Sequence, residues 1–363
     1  MGLHSTPAYD SGMEAPATTV TIEAGPPVRY RLRTAASACR SVAKAALRRA
    51  IRGPRLPGWN WKVEIWTEAL RTHLAQAFAL KDVNEARRFL DSVVLASPAL
   101  AAVDITPVTD EAIRGRWFVP KRPAPETTLL YLHGGGFSFA PKGHTGFIAM
   151  ITAAAKSLTL ALDYRLSPEH HFPAQIEDVL NGYRWLLERG IDPSELVVGG
   201  DSAGGNLVIA LLLAARDRGM PLPKLAFALS PPTDLEVPAE SVANGTSLTG
   251  NEEFDWITRA MLLKWAEWYC RGADRCNPYI SPVYADLRGL PPIYIQAGGA
   301  EILYDSIAAF TDRAKRQQAD VALESWADMN HNFQMFGEQA PQSMEALRRL
   351  GEVIELHMRG HDR

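Results

Sequence analysis

Cysteine is scarce. Three thiols in 363 residues, Cys39, Cys270 and Cys276, exclude a disulfide framework. Cys270 and Cys276 lack the close spacing and the neighbouring histidine of a zinc knuckle, so the thiols read as incidental and fit a reducing compartment. No run approaches the ~18 consecutive apolar residues of a membrane span. Residues 1–28 hold no apolar signal core, so no secretory leader is expected. Charge of one sign is also missing. A net charge of −3 and a pI near 6.3 exclude nucleic acid as a charge-driven partner. There is no internal repeat. With 47% hydrophobic and 22% charged residues, the chain has ample material for a large buried core.

Residues 1–28, rich in Ala, Thr, Pro and Gly, read as a mobile arm. Met1-Gly2-Leu3-His4-Ser5-Thr6 matches the short myristoylation pattern, which accident also produces often. Residues 29–55 change character, with nine Lys or Arg and no acid. Leu32, Ala36, Cys39, Ala43, Leu47 and Ile51 recur at helical spacing, which predicts a basic amphipathic helix. It either packs on the body as a solvated helix or lies on an anionic membrane surface. Its mostly alanine face is too small for a strong anchor. Gly53-Pro54 and Pro57-Gly58 end it. Residues 59–100 carry an aromatic and aliphatic stripe (Trp59, Trp66, Leu70, Leu74, Phe78, Phe89) that either forms core or roofs an apolar pocket.

From residue 104 the pattern alternates. Strands are predicted at 113–119, 127–133, 158–163, 195–198, 224–230, 292–297 and 321–326. Helices fall at 142–156, 173–189, 206–215, 304–318 and 341–358. Residues 232–282 interrupt the alternation with a polar loop and a Trp-rich helix. This is the signature of an α/β fold with a mainly parallel sheet covered by helices on both faces.

The chemistry centres on Gly199-Gly200-Asp201-Ser202-Ala203-Gly204-Gly205. An apolar strand precedes this G-x-S-x-G and a small, apolar helix follows. Such a turn strains the serine backbone, needs small neighbours, and presents the hydroxyl at the end of the sheet. The alternative is a glycine turn that only closes a βα unit. A serine needs a base. His331 lies in the loop after the strand at 321–326, where the α/β-hydrolase order of Ser, acid, His places it. Glu301 and Asp305 both qualify as the acid by position, and Glu301 sits nearer the strand end. His133-Gly134-Gly135-Gly136-Phe137 follows the strand at 127–132, and its glycines free backbone N–H groups to face a developing oxyanion. His133, ahead of the serine, suits a structural hydrogen bond. Phe137 is expected to contact substrate.

These motifs together resemble the hormone-sensitive-lipase-like branch of the α/β-hydrolases, the bacterial family IV esterases. His133–Phe137 looks like its oxyanion motif, and Gly200–Asn206 looks like its GDSAGGN elbow. Asp163-Tyr164-Arg165-Leu166-Ser167-Pro168-Glu169 with Phe172-Pro173-Ala174 resembles its internal DYRLxPE…FPA segment. The resemblance implies Ser202 as nucleophile and the amides of Gly135, Gly136 and Ala203 as oxyanion donors. Asn332 stands where the family has glycine, and asparagine tolerates the positive φ that position would require. Glu301 replaces the first Asp of the family's D-x-L-x-D segment and is one methylene longer. Tyr164, Arg165 and Asp178 are expected to brace the core.

The resemblance also implies a helical cap over an α/β-hydrolase fold. The expected division is an arm and basic helix at 1–55, cap helices at 56–103, a cap insertion at 232–282, and a catalytic domain at 104–231 and 283–363. The expected activity is hydrolysis of small short- to medium-chain or aryl esters through a Ser-His-Glu triad, without metal or cofactor. An amidase or metabolite deacetylase would use the same residues. A non-catalytic small-molecule receptor on this fold, as the plant gibberellin receptors are, would have lost the histidine, which is present here. A cytoplasmic location is expected, with weak membrane-surface contact through residues 29–55 and a homodimer both left open.

Overall fold

The computed structural model describes residues 28–92, 97–121, 127–236 and 246–359. The lipidation pattern at Met1–Thr6 and the arm before Val28 lie outside the described residues. An eight-stranded sheet runs in the order β1-β2-β4-β3-β5-β6-β7-β8. Its strands are β1 (Val103–Pro107), β2 (Gly115–Pro120), β3 (Thr128–Leu132), β4 (Leu158–Leu162), β5 (Leu196–Asp201), β6 (Leu225–Leu229), β7 (Ile293–Gly298) and β8 (Val321–Trp326). From β4 through β8 the neighbours pair in parallel, while β1–β2 and β2–β4 are antiparallel. β1 is absent from the sequence reading. Only Val103 of it is buried, so it has no apolar alternation, and its Pro107 suits an edge.

Period-two alternation explains how the central strands serve two layers. In β3, Leu130 and Leu132 face one core while Leu129 and Tyr131 face the other. In β5, Val198 and Val197 divide in the same way. One layer is built by α5 (Ala174–Glu188), α6 (Ala203–Asp217) and α8 (Tyr304–Arg316), the other by α4 (His144–Ala155) and α9 (Pro341–Arg359). The α6 helix is apolar almost all round because it is buried from Ala203 to Ala215. Beyond the sheet, α2 (Trp61–Phe78), α3 (Val83–Leu90) and α7 (Arg259–Cys270) supply Leu74, Phe89 and Trp265 to the same core.

The helix expected over 29–55 is α1 (Val28–Arg52), and it packs on α2 through a polar face. The reason is buried charge. Glu64 and Glu68 of α2 retain only 2% and 6% side-chain exposure and must be paired. Arg49 meets Glu64 at 2.7 Å, Arg55 meets Glu68 at 3.1 Å, and Lys44 also bonds Glu68. Ser37 and Ser41 bond Gln76 and Thr72 of α2. This docking turns Val28, Leu32, Val42, Leu47 and Ile51 outward, where all are exposed.

The turn between β5 and α6 is packed against β3. A Cβ on Gly204 would lie 1.9 Å from the carbonyl oxygen of Leu132, and one on Gly200 would lie 2.6 Å from the same atom. Only glycine lets the elbow approach this strand. Gly204→Ala is therefore expected to cost at least about 3 kcal/mol, as a clash with backbone rather than with a movable side chain. Urea unfolding would show the lowered midpoint.

Candidate active site

Ser202 is the residue between β5 and α6. Its backbone sits at φ 50° and ψ −122°, a strained conformation for a non-glycine residue. The hydroxyl Oγ lies 2.9 Å from His331 Nε2. His331 comes from the loop after β8, as its spacing predicted. Asn332 next to it is left-handed at φ 48°, the conformation that glycine or asparagine adopts at least cost.

The other ring nitrogen, Nδ1, faces Glu301 Oε2 at 3.9 Å. Asp305 is elsewhere: its carboxylate accepts the Ser247 N–H at 2.7 Å, and Ser247 Oγ is 3.0 Å from the Asp305 amide. The structure thus brings Glu301, and not Asp305, to the histidine. Glu301 has no exposed surface. Its Oε2 accepts the Ser230 hydroxyl at 2.6 Å and the Gly298 N–H at 3.2 Å. Glu301 Oε1 and His331 Nδ1 are both buried without a hydrogen-bond partner.

Burial sets the electrostatics. It pulls the His331 imidazole down to about 3 and pushes the Glu301 carboxyl well above the ordinary range. Both groups resist charge when alone. A proton passing to His331 Nε2 creates an imidazolium that Glu301 can stabilise as its anion, so the pair gains from charge only when both ionise together.

Gly135 and Gly136 line the cavity that contains Ser202 and His331, with φ of 114° and 60°. Ala203 is the buried first residue of α6, where backbone N–H groups have no intrahelical partner. Phe137 departs from expectation. It is buried, it stacks on Tyr269 with ring centroids 3.9 Å apart, and it is not among the residues lining this cavity. An aromatic ring at the end of a glycine loop can turn either way, and here Tyr269 of α7 supplies the better apolar contact. His133 holds the loop from below. Its ring stacks on Tyr164, its carbonyl accepts the Tyr164 hydroxyl at 2.6 Å, and burial lowers its imidazole to about 4. Arg165 and Asp178 are paired at 2.8 Å, bracing the neighbouring segment.

Asp201 does more than the motif disclosed. Fully buried, it accepts the Tyr131 hydroxyl at 2.7 Å, the Gly134 N–H at 2.9 Å and the Asn332 side-chain amide at 2.8 Å. His144 Nε2 lies 3.3 Å away. Burial opposes its charge, yet His144 and these donors together hold the carboxyl below the usual range. Ser230, at the end of β6, was also missed by sequence reasoning. Its hydroxyl joins Glu301 to the Asn332 N–H at 3.1 Å, and nothing in Leu229-Ser230-Pro231 marks it beforehand. Among the described residues, no three His, Cys, Asp or Glu side chains converge as a metal site.

The cavity at Ser202 holds about 100 Å³ and is mostly apolar, with Leu70, Leu74, Leu90, Trp256, Trp265 and Met335 in its wall. A larger cavity of about 570 Å³ lies beside it and shares Leu70 and Met335 as wall.

A family profile described as alpha/beta hydrolase fold matches residues 129–335, more than half of the chain. An acetyl-hydrolase of Streptomyces hygroscopicus is 38% identical over 228 residues, which cover 62% of this chain and 75% of that protein. An esterase of Acinetobacter venetianus is 30% identical over 74% of this chain and 88% of its own length. Among solved structures, an esterase from the bacterial hormone-sensitive lipase family is 35% identical, with a TM-score of 0.72 over 80% of this chain and 98% of that one. An esterase/lipase from an uncultured bacterium is 32% identical, with a TM-score of 0.75 over 83% and 99%. With its elbow, its glycine loop and its serine–histidine contact in place, the chain belongs to the alpha/beta-hydrolase family, in the hormone-sensitive-lipase-like branch of carboxylic ester hydrolases.

Proposed function

We propose that this ester hydrolase works through a Ser202–His331–Glu301 triad and an acyl-enzyme, on small short- to medium-chain or aryl esters. The observation that carries the reading is the 2.9 Å contact between His331 Nε2 and a Ser202 hydroxyl held on a strained elbow. His331 takes the Ser202 proton as Oγ attacks the ester carbonyl. The amides of Gly135, Gly136 and Ala203 receive the oxyanion. His331 then protonates the leaving alcohol, and water repeats the sequence on the acyl-enzyme. Glu301 orients the imidazole and stabilises its cation. Contacts of this kind are often long in a free enzyme and tighten in the complex, which suits the 3.9 Å separation seen here. Acetyl esters belong to this proposed range, which is in keeping with the acetyl-hydrolase name of the Streptomyces relative.

The test is a p-nitrophenyl ester series with matched variants. Ser202→Ala should lower kcat on the order of 10⁴- to 10⁶-fold, and Glu301→Gln about 10³- to 10⁴-fold. Undiminished turnover by Ser202→Ala would end the proposal.

The pH dependence has a definite sign. A protonated Glu301 cannot stabilise the imidazolium, and burial raises its carboxyl. Activity should therefore fall as pH drops, with the acid limb of kcat/KM above the ~4.3 of an ordinary glutamate. A flat profile down to pH ~4.3 would contradict the role of Glu301.

Chain length follows from the small cavity. Acetate and butyrate esters should outpace decanoate. Met335→Ala opens the shared wall toward the larger cavity and should raise the decanoate-to-acetate ratio. Faster decanoate than acetate turnover by the wild type would refute the short-chain reading.

A second observation bears on where the enzyme meets its substrate. The outward face of α1 presents Val28, Leu32, Val42, Leu47 and Ile51, on a helix that carries cations and no acid. An exposed apolar face on a cationic helix suits lying on a membrane surface. An anionic bilayer is the complementary partner, because two copies packed through α1 would bring like charges together. Wild type should co-sediment with phosphatidylserine vesicles at low salt, and Leu32→Glu with Leu47→Glu should abolish it. Absence of wild-type binding, or dimerisation through α1, would remove the membrane assignment.

A further inference from the structure

Between the single helical turn at Ser247–Gly250 and α7, the chain passes directly over both loops of the triad. Asp255 lies in this passage and has no exposed surface. Its Oδ2 accepts the N–H of Ile302 at 2.9 Å, and its Oδ1 accepts the N–H of His331 at 3.3 Å. Ile302 directly follows Glu301. One carboxylate thus grips the loop of the acid and the loop of the base at once. Oδ1 also accepts the Trp256 N–H at 2.7 Å, which fixes the carboxylate itself.

Neighbouring contacts repeat the same connection. Trp256 Nε1 donates to the His331 carbonyl at 2.6 Å. The Asn251 side-chain amide donates to the carbonyls of Glu301 at 3.0 Å and Gly299 at 3.1 Å. The Asn330 side-chain amide reaches back to the Phe254 carbonyl at 3.2 Å. Trp256 and Ile257, next to Asp255, line the cavity that contains Ser202. The segment that walls the substrate cavity is therefore the one that holds the acid and base loops together.

The charged groups around this carboxylate are few. Glu301 and His331 face it from the two loops, and Arg71 of α2 reaches the Asp255 carbonyl at 3.3 Å. Asp201 acts on His331 from the elbow side. The donors to the Asp255 carboxylate are backbone amides, which carry no formal charge to offset its own. Burial pushes its carboxyl up to about 7, and after burial its charge is a further cause raising Glu301. Two carboxylates out of water oppose each other's ionisation.

We propose that Asp255 is a positioning residue of the catalytic triad, whose carboxylate holds the Glu301 loop and the His331 loop in register beneath the wall of the substrate cavity. This rests on the serine-esterase reading above. Asp255 touches neither substrate nor reacting atoms. It acts on kcat through the separation of Glu301 from His331. When ionised, it also disfavours an ionised Glu301.

Asp255→Asn keeps the size, offers one acceptor oxygen in place of two, and removes the charge. The expected result is a kcat about 10- to 100-fold lower, the loss typical of a misplaced catalytic group, with KM little changed. A folded variant with wild-type kcat would overturn the proposal. So would a loss of activity that only tracks the folded fraction, measured by circular dichroism and by fluorophosphonate labelling of Ser202. If the variant does not fold, hydrogen–deuterium exchange on the wild-type protein decides. Ile302 and His331 amides should be as protected as the neighbouring strands, and immediate exchange of both would overturn the proposal. If the wild type shows no turnover that depends on Ser202, the esterase reading fails, while the exchange measurement still decides whether Asp255 ties the loops.

Discussion

The buried carboxylate of Asp201, one residue before the serine, is the interaction on which the catalytic end depends. It gathers the hydroxyl of Tyr131 from β3, the first amide of the glycine loop at Gly134, and the side chain of Asn332 beside His331. Those groups come from two chain segments, 131–134 and 332, both distant along the chain from Asp201. A charge without exposed surface is tolerated only when such donors surround it, so displacing one of them leaves the others with an unpaid cost of burial. The elbow, the glycine loop and the loop of His331 are thereby held together beneath the cavity at Ser202.

A second constraint acts from above. Asn251, Asp255 and Trp256 reach down to the loops of Glu301 and His331 through five hydrogen bonds, three donated by the Asn251 amide and the Trp256 indole and two accepted by the Asp255 carboxylate. The same segment contributes Trp256 and Ile257 to the cavity wall. The cavity wall and the loops of Glu301 and His331 are therefore tied together, so the shape of the cavity is coupled to the placement of these two side chains.

Glutamate in place of aspartate at 301 is accommodated by its surroundings. Ser230 and the Gly298 amide hold Oε2, which keeps the longer side chain folded back with its carboxylate short of hydrogen-bonding distance to His331. Glu301 is positioned by groups just after β6 and at the end of β7, not by the histidine. Its buried environment disfavours ionisation until an imidazolium is present to pair with it.

Much of this was legible in the sequence because the signals are local. The alternation of strands and helices from residue 104 gave the parallel sheet, since side-chain period follows directly from backbone geometry. Ser202 and the glycine loop were readable because a strained turn and a close backbone approach each demand small residues in fixed order. The loops that carry His331 and Glu301 were readable from their place after predicted strands. The edge strand β1 was not, because a strand exposed along most of its length has no apolar pattern. Other features needed the tertiary structure. Ser230 and Asp255 are ordinary polar residues in sequence and Asp201 was legible only as part of the elbow motif, while the importance of all three comes from burial beside loops distant along the chain. Phe137 turned toward Tyr269 and away from the cavity, a choice between two apolar neighbours. The orientation of α1 was decided by Glu64 and Glu68 of the next helix, which had to be paired once buried, and so its polar face went inward. Local periodicity determines which elements form. Which face is buried, and which polar group has which partner, is settled only where distant segments compete for the same space and the same hydrogen bonds.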